Sequence, residues 1–239
     1  SIAISISAIG LHSSLGGLLD SAAAFRAGMS KSREMPDWPY FDDDTLHEAH
    51  VIGCPAAGLS DGFQGIARLA KLATYAAEDL NESMNPAEIK GRSIRAFLAT
   101  GGLEAGSEAD DIHVKAIGVI LQQCRSVLNK ELQIEPSARI FSGELGAIQA
   151  LEAAIQCLRN GEAECCLVGL FDTLLDQNAL GNLLRAGVVK TVDNACGLVP
   201  GETGCIILLE RLSDVTRRAA KPWGVISGLS YVQHSEGER

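Results

Sequence analysis

The stretch 142–161, SGELGAIQALEAAIQCLRNG, with the run AECCLVGLFD after it, constrains the fold more than any other part of the chain. Over 144–159 the small and apolar residues are Gly146, Ala147, Ile148, Ala150, Leu151, Ala153, Ala154, Ile155, Cys157 and Leu158. Placed at about 100° per residue, they leave only a narrow polar stripe of Gln149, Glu152 and Gln156. A helix apolar on most sides is expected to be buried on most sides. Gly161 supplies a stop, because glycine takes the left-handed turn after a helix at little cost. The apolar run 165–171, with acids on either side, predicts a buried strand.

The rest of the chain alternates strand and helix patterns. Residues 1–9, SIAISISAI, predict a strand that Gly10 ends, and 18–27 predict a helix closed by Gly28. Residues 29–60 hold three prolines, Trp38 and the run Asp42-Asp43-Asp44. They are expected to be an irregular excursion with one short strand at 49–52. Within it His47 and His50 lie three apart beside Glu48 and Asp42, a spacing read as solvated loop rather than as a metal pair. Residues 62–84 predict an amphipathic helix with Ile66, Leu69, Ala70, Ala73, Ala76, Ala77 and Leu80 on one face. Strands follow at 93–99 and 137–141, with a helix at 112–128 between them. Further strands are expected at 206–210 and 223–229, separated by a basic helical turn at 212–220. Strands separated by helices argue for a layered α/β domain with a mainly parallel sheet.

Several of these segments together resemble one family. A central helix of this kind, then Arg159-Asn160-Gly161-Glu162 and a strand reaching Gly169-Leu170, resembles the nucleophile helix of the thiolase superfamily, with the β-ketoacyl synthases as the nearest branch. In that branch the active cysteine opens the helix in a Thr-Ala-Cys pattern followed by small residues. Counted back from the Arg-Asn-Gly-Glu turn, the pattern falls on Ser142, Gly143 and Glu144, so the nucleophile position carries Glu144. Gly10, Ser13-Ser14-Leu15-Gly16 and Ala27-Gly28 resemble the ketosynthase opening, and Thr100-Gly101-Gly102-Leu103-Glu104 resembles its Gly-rich strand end. The segment 194–210 is similar to the ketosynthase Gly-Glu-Gly run, carried here by Gly201, Glu202 and Gly204. With Gly143 and Gly146 these form the structural motif. Its glycines are expected to allow close backbone approach near the buried helix.

The resemblance implies the N-terminal half of a thiolase-like fold over 1–239: a layered α/β/α arrangement with a buried central helix and a mainly parallel mixed sheet. The family's two catalytic histidines belong to a second half, and His12, His113 and His234 match no family position. A carboxylate at position 144 cannot hold an acyl thioester as a cysteine does. The resemblance therefore implies a non-condensing, chain-length-factor-like subunit, with Glu144 either meeting the helix dipole or binding a ligand. It also leaves open the N-terminal half of a longer acyltransferase or decarboxylase, or a thiolase-like scaffold protein. A homodimer, or a heterodimer with a ketosynthase-like subunit, is implied through the strand at 138–141, with an acyl carrier protein as a further partner.

Composition bounds the remaining possibilities. With 46% apolar residues in 239, the chain can bury a sizeable core. Thirty acidic against twenty basic residues give a net charge of −10, which argues against a nucleic-acid surface. Seven scattered cysteines, with no C-x-x-C pair, read as thiols in a reducing compartment. No apolar run reaches the roughly 18 residues of a membrane span, and the first ten residues carry no basic leader, so the cytoplasm is expected. No cofactor and no metal is expected.

Overall fold

The computed structural model describes residues 2–42, 46–56, 60–84, 89, 91–101, 109–128, 132–143, 145–191 and 194–231. Its elements in chain order are β1 (Ile4–Ser13), β2 (Gly16–Gly17), α1 (Leu18–Arg26), β3 (Arg33–Asp42), β4 (His47–Gly53), α2 (Gly65–Ser83), β5 (Ser93–Thr100) and α3 (Ala109–Leu128). They continue with β6 (Gln133–Ser142), α4 (Gly146–Arg159), β7 (Cys165–Thr173), α5 (Gln177–Arg185), β8 (Glu202–Arg211), α6 (Leu212–Arg217) and β9 (Gly224–Ile226).

One sheet runs in the order β2-β1-β8-β7-β5-β6, with β9 also paired to β1. Strands β5, β6 and β7 are mutually parallel, and β8 is antiparallel to both β7 and β1. It follows that β1 points the same way as β5, β6 and β7, and β8 is the one long strand reversed. The sheet is mixed and mainly parallel, as expected.

Both faces of the sheet are covered, so its strands are apolar on both sides. On β5, Ile94, Ala96 and Leu98 face the α2–α3 layer, while Phe97 and Ala99 face α4. On β7 the adjacent thiols of Cys165 and Cys166 part to opposite faces for the same reason. The result is a three-layer α/β/α sandwich. Within it α4 contributes Ala150, Ala154, Ile155, Cys157 and Leu158, all buried. Burial of a side chain such as Leu158 stabilises the fold by about 1.5–3 kcal/mol. Gly161 follows α4 at φ +72° and Gly28 follows α1 at φ +67°, so both expected stops are left-handed turns.

Five local expectations are corrected. Gly10 does not end β1; the strand continues to Ser13. Glycine is needed there because α2 crosses close by, and a Cβ would lie 2.1 Å from the Ala76 carbonyl oxygen. Among the described residues of 29–60, the strand expected at 49–52 is present within β4, but it is not alone: β3 and β4 form an antiparallel pair from Arg33↔Gly53 to Asp42↔His47, with a register shift between Glu34 and Pro39. Met35 and Val51 of this hairpin share a small core with Leu175, Leu180 and Val189. The last strand is shorter than 223–229, spanning only β9, and α6 stops at Arg217. Finally, α4 is not buried on most sides, since Ala147, Ile148 and Leu151 are only half-buried.

Candidate active site

In open α/β sheets, sites form beyond the carboxyl ends of the parallel strands. Here that edge gathers Gly101 after β5, the turn from β6 into α4, Asp172 and Thr173 on β7, and the first residues of β8.

The turn into α4 runs through Gly143, at φ +80°, a left-handed conformation that favours glycine. No atom lies within 4 Å of where its Cβ would be, so conformation rather than crowding calls for glycine. Gly146 opens α4 and is buried; its Cβ would come 3.3 Å from the Phe141 carbonyl carbon and 3.7 Å from the Ala99 Cβ. The Gly146 N–H donates to the Gly143 carbonyl at 3.0 Å, and no side chain caps α4 at the Leu145 N-cap. Glu144 lies outside the described residues, as do Gly102 and His234 and the side chain of His113.

Glu202 is the best-defined group at this edge. Its side chain is fully buried and receives five hydrogen bonds. Arg68 of α2 donates from Nε at 2.5 Å and from Nη2 at 2.9 Å. The Ser60 hydroxyl donates at 2.5 Å, the Ala56 N–H at 2.8 Å and the Thr173 hydroxyl at 3.1 Å. Burial alone would raise its pKa, but the bonds from Arg68, Ser60 and Ala56 outweigh it and hold the carboxyl below the usual carboxylate range. Glu202 thus ties the end of β8 to α2, to β7 and to the chain after β4. The flanking glycines allow this. A Cβ at Gly204 would lie 2.7 Å from the Leu72 carbonyl oxygen, and one at Gly201 would lie 3.4 Å from the Cys54 Cβ. The close approach made by these glycines is therefore to α2 and the end of β4, not to α4 as expected.

Asp172 was not singled out by sequence. It reaches the surface, yet protein atoms crowd its carboxyl, and that desolvation pushes its pKa up. Gly101 lies against it: a Cβ there would fall 2.0 Å from Asp172 Oδ1, so any larger residue would displace the carboxyl. Asp176 caps two helices at once, accepting the Asn178 N–H of α5 at 2.9 Å and the Gly65 N–H of α2 at 3.1 Å. Arg68 was missed as well. Its signal was position: Arg68, Leu72 and Ala76 are spaced four apart on the buried side of α2.

Five of the seven thiols are poorly suited to act as nucleophiles. Burial pushes Cys205 up to about 11 and Cys124 and Cys165 to about 12, and it raises Cys54 and Cys166 as well. A thiol attacks as thiolate, so such shifts oppose reactivity. His12 stacks at a tilt on Tyr75, with ring centroids 5.3 Å apart, away from the α4 face. His47 and His50 lie on β4, and His50 Nε2 is 4.0 Å from Glu48. Among the described residues no three His, Cys, Asp or Glu side chains converge as a metal site. No described helix is long and apolar enough to cross a membrane.

Comparison with known proteins follows the same lines. Residues 146–215, from the start of α4 into α6, match the model of the β-ketoacyl synthase N-terminal domain. The polyketide synthase ThaG of Burkholderia thailandensis is 26% identical over 232 residues, covering 83% of this chain and 4% of that protein. Among solved structures, the ishigamide ketosynthase/chain length factor superposes with a TM-score of 0.65 at 18% identity, covering 95% of this chain and 62% of that one. AntDE:AntF, a type II polyketide acyl-carrier protein in complex with its ketosynthase, gives a TM-score of 0.67 at 16% identity, covering 95% and 62%. The chain thus spans less than two thirds of the length of these relatives. Residues 146–215 are thus similar to the β-ketoacyl synthase N-terminal domain, and the chain shares the fold of these ketosynthase structures.

Proposed function

We propose that this chain is a non-condensing ketosynthase-like subunit that pairs with a ketosynthase-like partner, in the manner of a chain length factor. What supports this reading is Glu144, two residues before Gly146 in sequence, at the position that the resemblance to the ketosynthases aligns with their nucleophilic cysteine. Attack by a carboxylate on a thioester would expel the thiol and leave a mixed anhydride, which water cleaves before a second substrate arrives. The raised thiols of Cys54, Cys124, Cys165, Cys166 and Cys205 support the same conclusion.

The partner surface in this reading is β6. It ends the sheet and pairs with β5 alone, and Ile140 on it is 39% exposed. An unpaired edge favours strand addition across a two-fold axis. An acyl carrier protein is the further partner in this reading, and the seven free thiols of the present chain suit the reducing cytoplasm.

A second reading has its own observation. Ala147, Ile148 and Leu151 leave an apolar strip of α4 half-buried, which suits a further unit packed on it. That unit is either a separate subunit or the second half of a longer ketosynthase-family acyltransferase or decarboxylase, of which 1–239 would be the N-terminal domain. The length of the reading frame decides between them.

Intact-mass spectrometry after incubation with an acyl-CoA tests the non-condensing role. The unaltered chain is expected to gain no acyl group. Glu144→Cys is expected to acylate slowly, because a helix N-terminus lowers a thiol pKa. A stable acyl adduct on the unaltered chain, at Glu144 or at any cysteine, would overturn the proposal.

A further inference from the structure

We propose that Cys157 and Cys166 are a modification site, a thiol pair that hydrogen peroxide closes to a disulfide between α4 and β7. The register of the sheet brings the two sulfurs together. Arg95 and Cys166 are direct neighbours on the parallel strands β5 and β7. Phe97 and Val168, two residues further along each strand, face α4. Side chains two apart on a strand share a face, so Arg95 and Cys166 point toward α4 as well. Cys157 meets them from the helix. It is buried in the same cluster as Cys166, and its Sγ lies 3.9 Å from Arg95 Nη1. The two thiols are in hydrogen-bonding contact. Cys165, one residue before Cys166, points to the opposite face of the sheet and is out of reach.

The two sulfurs play different parts. Cys166 is fully buried, and its pKa is pushed up first by burial and then by Cys157, so it keeps its proton. Cys157 faces the Arg95 guanidinium, which is also the pair's link to water. The Arg95 side chain is 40% exposed and is held at the surface by Glu162 at 2.9 Å and Glu135 at 3.4 Å. A small oxidant entering beside Arg95 meets Cys157 first. The Cys157 sulfur attacks one peroxide oxygen, the O–O bond breaks, and the departing hydroxide takes the thiol proton and leaves as water. Cys157 is then a sulfenic acid, which condenses readily with a neighbouring thiol. The Cys166 sulfur attacks the Cys157 sulfur, the S–O bond breaks, and a second water leaves with the Cys166 proton. Two thiols become one disulfide, and one peroxide becomes two waters. The link fastens the last turn of α4 to β7, at the end of the helix far from residue 144.

The test is peptide mapping by mass spectrometry after the folded chain has met graded hydrogen peroxide, with the remaining thiols alkylated on unfolding. It is run in a Cys196→Ser background, because Cys196 is an exposed thiol that would link two chains. A Cys157–Cys166 cross-link, lighter than the dithiol by two hydrogens, is expected, and dithiothreitol should reverse it. Cys165→Ala should leave the cross-link in place. Cys166→Ala should stop the reaction at the Cys157 sulfenic acid, which dimedone captures. Peroxide that leaves both residues as thiols, a cross-link that runs through Cys165, or a Cys166→Ala chain with no dimedone adduct at Cys157 would each overturn the proposal. The first of these is read without any change in the core, so a variant that fails to fold does not remove the test. None of these outcomes bears on Glu144 or on acyl transfer.

Discussion

Arg68 and Glu202 form a two-point ion pair between residues 134 apart in sequence, with Nε–Oε2 at 2.5 Å and Nη2–Oε1 at 2.9 Å. Both side chains are almost wholly removed from water. The same strand is held at its far end, where fully buried Glu210 receives Arg92 at 2.9 Å and Arg218 at 2.6 and 2.7 Å. Strand β8, the one long strand running against its neighbours, is therefore clamped by arginine at both ends.

Removing one member of the first pair leaves a buried charge without its counter-ion. Arg68→Ala is expected to destabilise the fold by about 3–5 kcal/mol. Replacing both members by apolar residues of similar volume, Arg68→Met with Glu202→Leu, should cost clearly less, because no charge is stranded. Urea unfolding of the two variants checks this. Equal losses would mean that the clamp acts through packing rather than charge.

Stability should fall on the acid side in two stages. The His12 pKa is lowered by burial, against the opposing pull of Asp79, Glu78 and Glu202. The unfolded chain then takes up that proton first, so stability declines as pH drops below about 6.5, the ordinary histidine value. The Glu202 carboxyl lies below its ordinary value, so its contribution is complete above about 4.5 and is lost as pH falls through the folded pKa. Melting temperatures from pH 8 to 3 should show both limbs. His12→Phe should flatten the first and leave the second.

Ala154 is fully buried where α4 meets the sheet, in a cluster with Phe97, Cys166 and Val168. Ala154→Leu adds volume that a close-packed layer cannot take up, at about 1–3 kcal/mol. The melting temperature should drop by several degrees, at about 2–4 °C per kcal/mol for a chain of this size. An unchanged value would show that this layer has room.

Pairing through β6 should be visible in solution. Light scattering is expected to report a dimer at micromolar concentration, either of this chain alone or with a ketosynthase-like partner. Ile140→Asp, which sets a charge on the exposed edge, should reduce it to monomer. A dimer that survives this change is not built on β6.

The sequence by itself determined the layers. Apolar periodicity marked α2, α4 and β7, and Gly28 and Gly161 marked turns that only a residue tolerant of positive φ takes easily. These signals are local, carried within one or two helical turns. Tertiary structure decided what local pattern cannot encode. Gly10 reads as a stop in sequence, but it is the point where α2 crosses β1. The β3–β4 hairpin was hidden because Pro36, Pro39 and a register shift break the alternation that would announce a strand. The same holds at the candidate site. The Gly201-Glu202 motif was legible, but its partner Arg68 sits 134 residues away, and only folding brings a guanidinium and a carboxylate to one buried point.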